Sequence, residues 1–195
     1  MDNRTQKERQ ILDCALQLLI ETGDAGLTMR KLADRAGMRL SNVQYYFASR
    51  DDVLDAMVRR YFDDCATQLR TLTNASTAQS QRDRVRFLIR SGLIHGVEIS
   101  DMCRAFREIW AISSRNHVID TLLTAYYRGF ADIVADYAVN QDAGDACRAK
   151  IATLLVPYFE GYSITARSLA LDIDATELLL TDLVLGIINP TAGSR

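Results

Sequence analysis

Proline and glycine are scarce in this chain, which has two prolines and ten glycines among 195 residues. Sandwiches and barrels need many turn residues, so this shortage favours long helices. Apolar residues make up 48% of the chain and charged residues 25%, close to the average of soluble globular proteins. We therefore predict an all-α fold, long enough to bury a core without disulfides.

Other absences narrow the class of protein. The four cysteines form no CxxC pair and fall within helical patterns, so we expect reduced, mostly buried thiols. The N-terminus is polar, and no uncharged stretch approaches the roughly 20 residues that span a bilayer. The sequence therefore predicts a soluble, cytoplasmic protein with no membrane partner.

Enzyme signatures are also missing. The sequence contains no P-loop, no GxGxxG and no GxSxG, and it has two histidines. His95, Glu98 and Asp101 are the nearest approach to a metal site, but the second ExxH motif of a di-iron bundle is absent. We predict no enzyme, no metal and no cofactor.

Charge is unevenly distributed along the chain. The formal net charge is −2, but residues 1–50 carry eight basic and six acidic side chains, a local charge of +2 against −4 for the rest. A basic N-terminal part on an acidic body suits a DNA contact at that end.

Apolar periodicity and capping residues predict nine helices. The first begins at Thr5 and closes at Gly23, and the last starts at a capping box of Asp174 and Glu177 and ends near Asn189. Between them lie predicted helices at 29–36 behind a Thr28 cap, 40–47, from a Ser49–Asp52 capping box to 72, 82–99, 102–114, 118–140 behind Asn116, and about 143–169.

Residues 28–47 are the most informative segment. A capped two-turn helix, a turn at Gly37 and a second short helix are typical of a helix-turn-helix, whose second helix reads base edges in the major groove. A plain three-helix core that touches no DNA is the alternative.

Residues 9–58 also resemble a known family. Gly23, Thr28, Leu32-Ala33, Ala36-Gly37, Tyr45-Tyr46-Phe47, Ser49-Arg50-Asp51-Asp52 and Val53-Leu54 match in type and spacing the N-terminal domain of TetR-type (TetR/AcrR) repressors. The resemblance implies a DNA-binding head at residues 1–48 and a helical body at residues 49–195. In this family the body binds a small ligand and dimerises through its last two helices.

The resemblance and the exposed polar residues of the second helix together give a DNA-binding set. Its members are Thr28, Arg30, Arg39, Ser41, Asn42, Gln44, Tyr45, Tyr46 and Arg50. Gln44 can read adenine, Arg39 can reach guanine or phosphate, and Ser41 is an alternative cap of the recognition helix. Arg50 stands where the family carries a phosphate-binding Lys. Tyr46 is the tyrosine expected on a phosphate, with Tyr45 packed inside.

Aromatic residues recur at helical spacing in the body, where they form either a packed core or a lined cavity. The candidate ligand-binding residues are Phe87, His95, Cys103, Phe106, Trp110, Tyr126, Tyr127, Phe130, Tyr158 and Tyr162. An apolar or aromatic effector fits this set. A cationic amine is the alternative, because aromatic faces attract cations and Glu108 or Glu160 could neutralise one.

The last two predicted helices are apolar on more than one side, which favours a four-helix interface between two subunits over burial within one chain. The sequence thus predicts a homodimeric repressor that binds a palindromic operator in double-stranded DNA and responds to a small molecule. The alternative is a small helical carrier or enzyme whose N-terminal helices only pack.

Overall fold

The computed structural model describes residues 3–97, 101–139 and 143–190. Within these ranges it contains nine α-helices and no strand, which confirms the all-α prediction. The helices are α1 (Asn3–Gly26), α2 (Met29–Ala36), α3 (Leu40–Tyr46), α4 (Arg50–Asn74), α5 (Gln81–Val97), α6 (Asp101–Ser113), α7 (His117–Ala138), α8 (Asp145–Thr165) and α9 (Ile173–Ile188). A 3₁₀ turn, Ala166–Ser168, follows α8.

Several predicted helix ends are confirmed by side-chain hydrogen bonds. Thr28 Oγ1 accepts from the backbone N–H of Lys31 at 3.3 Å and caps α2. Ser49 and Asp52 form the reciprocal capping box before α4, with distances of 2.9 and 3.1 Å. Asn116 Oδ1 accepts two backbone N–H groups at the start of α7.

Two predicted caps are wrong. Helix α9 is capped by Asp172, which accepts from the N–H of Ala175 at 2.8 Å, and not by Asp174 with Glu177. Helix α3 begins at Leu40 behind Arg39, whose side chain makes no capping bond, so Ser41 lies inside the helix. Other boundaries move by a few residues, and the predicted ends at Ile99 and Asn140 fall outside the described residues.

The chain divides into two compact units. Unit 1 comprises Met1–Cys65 and Arg104–Ala125, and unit 2 comprises Ala66–Cys103 and Tyr126–Arg195. In unit 1, α2 packs against α1 and α3, and fully buried side chains such as Ile11, Leu19, Leu32 and Val43 form its core.

In unit 2, α5 packs against α8 and α9 around a core that includes Ile89, Leu155 and Val184. Glu177 of α9 is 3% exposed and joins the helices by ion pairs of 2.7 Å with both Arg86 and Arg90 of α5. Burial raises the pKa of Glu177, but the hydrogen bonds from the two arginines outweigh it and hold the pKa below its ordinary value. The carboxylate therefore fastens α9 to α5.

The burial of the cysteines and the length and apolarity of the helices bear on two further sequence predictions. The expectation of mostly buried thiols is wrong, since Cys65 is buried and Cys14, Cys103 and Cys147 are half-buried. Among the described residues, no helix combines the length and apolarity that crossing a membrane requires.

Candidate DNA-binding and ligand-binding sites

The turn between α2 and α3 has the geometry of a helix-turn-helix. Gly37 adopts the left-handed conformation, with φ 65° and ψ 31°, and its N–H bonds back to the last turn of α2. A side chain at this position would be strained, which is the reason for a glycine. Val43 is fully buried and anchors α3 on the core of unit 1. The turn and the buried valine fix which side of α3 faces solvent.

Polar side chains cover the exposed surface of this motif. The exposed predicted DNA-binding residues are Thr28, Arg30, Arg39, Ser41, Asn42, Gln44 and Tyr45. We call the α3 members with the preceding Arg39 the recognition surface: Arg39, Ser41, Asn42, Gln44 and Tyr45. This surface presents donors and acceptors of the types that read base edges and phosphates.

The two tyrosines differ from the prediction. Tyr45 is 71% exposed, so the expectation that it packs inside is wrong, whereas Tyr46 is half-buried. Their rings meet edge to face at 5.2 Å, and the guanidinium of Arg4 lies 5.8 Å from the Tyr45 ring centre. Arg4 was missed from the sequence because a lone basic residue near the N-terminus has no motif. Its guanidinium, which also pairs with Glu8 at 3.2 Å, lies beside the recognition surface.

Arg50 occupies a more restricted place than the sequence suggests. Its Nε donates to the carbonyl of Leu27 at 2.9 Å, and its Nη2 donates to the carbonyl of Asp24 at 3.1 Å and also pairs with the Asp24 carboxylate. Nη1 lies 3.3 Å from Asp51. Arg50 therefore ties the start of α4 to the connection between α1 and α2.

The same connection is contacted by α6. Helix α1 is broken at Gly23, with φ 67°, and a Cβ atom built there would lie 3.3 Å from Oε2 of Glu108. Asp24 pairs with Arg115, which follows α6, at 3.6 Å. We call residues Gly23, Asp24 and Leu27 the α1–α2 joint. Three side chains converge on this joint: Arg50 from α4, Glu108 from α6, and Arg115, two residues beyond the end of α6.

The predicted ligand residues of unit 1 lie in an aromatic core. Phe106 is 8% exposed, stacks on Phe62 at 5.7 Å and meets Tyr61 edge-on at 5.4 Å. Trp110, one turn further along α6, is half-buried. Both residues belong to the helix that also carries Glu108.

Unit 2 holds the other predicted ligand residues. On α7, Tyr126 stacks on Phe130 at 5.9 Å and meets Tyr127 edge-on at 5.4 Å. The Tyr127 hydroxyl bonds to the partly buried carboxylate of Glu160 on α8, whose pKa is raised by burial. We call Tyr126, Tyr127, Phe130 and Glu160 the α7–α8 cluster.

The remaining predicted ligand residues lie elsewhere in unit 2. Tyr158 stacks on the buried Tyr162 at 5.8 Å, and burial raises the pKa of Tyr158. Phe87 packs on Tyr137 and borders a concavity of about 510 Å³ at the end of α4 and the start of α5. The Cys103 thiol lies 3.1 Å from the carbonyl oxygen of His95. Glu98, which in the sequence stands with His95 and Asp101 in the pattern nearest to a metal site, lies outside the described residues.

The family of this chain follows from its similarity to known proteins. Residues 11–57 match the family model described as bacterial regulatory proteins, tetR family. A protein of Xanthobacter autotrophicus, described as an HTH-type transcriptional regulator in the dhlA 5′ region, is 44% identical over 179 residues. The alignment covers 92% of this chain and 89% of that protein. The chain belongs to the TetR family.

Solved structures of other regulators share the fold of this TetR-family protein. A TetR-family regulator of Mesorhizobium loti has a TM-score of 0.77 at 14% identity, and the match covers 96% of this chain and 98% of that one. A transcriptional regulator of Saccharomonospora viridis, solved in complex with choline, has a TM-score of 0.71 at 21% identity and covers 93% and 96% of the two chains. At these identities the likeness concerns the fold.

Proposed function

We propose that this TetR-family regulator is a repressor that binds a palindromic operator as a homodimer and is released by a small molecule. Residues 1–48 form the DNA-binding head in this proposal, and residues 49–195 form the body. The exposed recognition surface on α3 carries the proposal, because it follows the tight turn at Gly37 and sets base-reading and phosphate-binding side chains toward water around one buried valine.

The proposed contacts divide into two kinds. Gln44, Asn42 and Arg39 would read base edges, since amide and guanidinium groups match the donor and acceptor patterns of the major groove. Thr28 at the N-terminus of α2, together with Arg30, Ser41 and the two tyrosines, would bind phosphates and fix the orientation of the head. Arg50 would add a phosphate contact through the part of its guanidinium that faces solvent.

Exposed leucines support the proposed homodimer. Leu178, Leu179 and Leu183 of α9 are 48–53% exposed, and Ile164 and Leu169 near the end of α8 are 57% and 48% exposed. Large exposed apolar side chains on α9 and at the end of α8 and just beyond it are typical of a protein interface. A two-fold pairing of this surface would place two heads on the two halves of a palindrome.

The proposed release by a small molecule draws on two observations. The body contains half-buried aromatic residues on α7 and α8, which is the lining that small-molecule sites use. Side chains of α4 and α6, with Arg115 just beyond α6, touch the α1–α2 joint, so a ligand that shifted either helix would change how the head is held. The choline complex of the Saccharomonospora viridis regulator supports a small-molecule effector in this fold.

A mobility-shift assay on the DNA upstream of its own gene tests the central claim. We expect a retarded complex that survives excess random DNA, and footprinting should show two protected half-sites. In a transcription reaction from the same promoter, the protein should lower transcript yield. A small carrier or enzyme would give no specific shift, and an activator would raise the yield.

A further inference from the structure

We propose that the effector is a small organic cation whose ammonium group is held by the Glu160 carboxylate among the rings of Tyr126, Tyr127 and Phe130. The role of this cation as an effector rests on the proposed function, but its binding to the α7–α8 cluster does not require DNA. Of the two ligand classes that the sequence leaves open, an apolar or aromatic molecule and a cationic amine, the second is selected. Of the two candidate carboxylates, Glu108 and Glu160, the second is selected.

Glu160 is a carboxylate without a counter-charge. It is partly buried on α8, and among the described residues no Lys, Arg or His forms an ion pair with it. Its one polar partner there is the neutral Tyr127 hydroxyl. Glu177, in the same unit, is buried as well but pairs with two arginines. Removing a carboxylate from water without a cation is costly, so a cationic ligand would supply what the fold leaves out.

The rings next to Glu160 suit an ammonium group. Tyr126 and Phe130 are parallel within 10° at 5.9 Å, and Tyr127 stands against Tyr126 at an interplanar angle of 66°. Rings in such different orientations present both faces and edges to one region, and a cation is attracted to ring faces. Tyr127, whose ring stands against Tyr126, also bonds to Glu160 through its hydroxyl, so the carboxylate and the rings belong to one cluster.

The other candidate carboxylate has a different role. Glu108 lies beside Gly23 in unit 1, with Oε2 3.3 Å from where a Cβ on that glycine would be. A neutral aromatic ligand would cover Glu160 further without compensating its charge, so the cluster disfavours that class. These positions select Glu160 and a cationic ligand.

Isothermal titration calorimetry with full-length protein tests the proposal. The probes are choline and benzyltrimethylammonium, with 3,3-dimethyl-1-butanol as a neutral analogue in which carbon replaces the charged nitrogen. We expect at least one cation to bind and the neutral analogue to bind at least about tenfold more weakly. Glu160→Gln should lower cation affinity at least about tenfold. Asp132→Asn, which removes a carboxylate from the exposed side of α7, should leave it unchanged.

Two further measurements separate ligand binding from folding. The affinity of the wild-type protein should rise with pH as the carboxyl of Glu160 loses its proton, because burial sets its pKa above the ordinary value. Glu160→Gln should flatten this profile, and Glu160→Asp should restore part of the affinity. The described residues bring one other titratable group to Glu160, the hydroxyl of Tyr127. Circular dichroism checks that each variant is folded.

Failure of this proposal is distinct from failure of the proposed function. Absence of binding by both cations, a flat pH profile, or full affinity in Glu160→Gln would each overturn the cation site, whatever the DNA assay shows. A wild-type protein that binds cations through Glu160 but gives no operator complex would retain the site and refute the repressor. Cations that bind without weakening the operator complex would overturn their role as effectors.

Discussion

Gln44 is the residue of the recognition surface whose chemistry is most specific. It is exposed on α3, and its amide can donate and accept at once, as adenine requires. We expect Gln44→Ala to cost about 1–3 kcal/mol per half-site on the operator and little on random DNA. Fluorescence anisotropy on operator variants measures this, with Gln68→Ala on the exposed side of α4 as the control. Equal losses on all sequences would contradict base reading by Gln44.

Arg50 is expected to act in two ways. Loss of its bonds to Leu27 and Asp24 in Arg50→Ala should destabilise unit 1 by about 1–2 kcal/mol, seen as a lower melting temperature. If the exposed part of the guanidinium also binds phosphate, the slope of log affinity against log salt should fall by about one unit. Reduced stability with an unchanged slope would remove Arg50 from the phosphate contacts and leave it at the α1–α2 joint.

These residues show where sequence reasoning stops. The exposure of Gln44 can be predicted from its place next to the one buried valine of a short amphipathic helix, and the structure confirms it. The bonds of Arg50 to Asp24 and Leu27 join positions 26 and 23 residues apart, and no local pattern indicates them. Tyr45 and Tyr46 are adjacent, so which one packs depends on the tilt of α3 on the core.

At the scale of helices, local signals predicted ends well. Thr28, Ser49 and Asn116 begin helices and Gly37 ends one as expected, because caps act within four residues. The start of α9 was predicted wrongly for the opposite reason. Glu177 stands three residues after Asp174, which resembles a capping box, but both carboxylates pair with arginines of α5 that lie over 80 residues away.

Gly23 and Gly37 offer a test of how the helices of the head are joined. Both have φ near +65°, but a Cβ on Gly23 would press on Glu108, whereas one on Gly37 meets nothing within 4 Å. Alanine at Gly37, in the left-handed helical region, should cost about 1–2 kcal/mol of backbone strain. Gly23 has ψ −176°, a combination that glycine alone readily adopts, so alanine there should cost about 1–3 kcal/mol of strain in addition to the contact with Glu108. Gly23→Ala should therefore lose more stability in urea unfolding. A Glu108→Ala background should reduce the loss caused by Gly23→Ala, and a loss that Glu108→Ala left unchanged would show that Glu108 moves aside without cost.

Glu177 predicts a pH dependence of stability. Its carboxylate is paired and its pKa is lowered on folding, so its contribution is present above the unfolded pKa and is lost as the pH falls through the lower folded pKa. Glu177→Gln should lose about 2 kcal/mol at pH 7 and less at an acidic pH below the lowered pKa of the wild-type carboxyl. Asp182→Asn, which breaks the exposed pair with Arg82, is the control and should lose under about 1 kcal/mol. A loss that stayed the same at both pH values would contradict the ion-pair role.

For the whole molecule, the proposed dimer makes the sharpest prediction. Leu183→Glu places a carboxylate on the exposed leucines of α9, and burial of an unpaired charge in an interface costs several kcal/mol. We expect monomers by light scattering and loss of tight operator binding, while the helical circular dichroism persists. Val118→Glu, at a residue 52% exposed on α7, is the control and should remain dimeric. A dimeric Leu183→Glu would place the interface elsewhere.

A regulator that pairs through the leucines of α9 would respond to its own abundance. Below the dissociation constant of the dimer, the concentration of pairs grows with the square of the concentration of chains. At an operator that is far from saturated, halving gene dosage would then lower occupancy about fourfold, whereas with chains well above the dimer dissociation constant occupancy would fall about twofold. The apolar area of one helix would thus set the chain concentration below which operator occupancy depends on the square of that concentration and above which the dependence is linear.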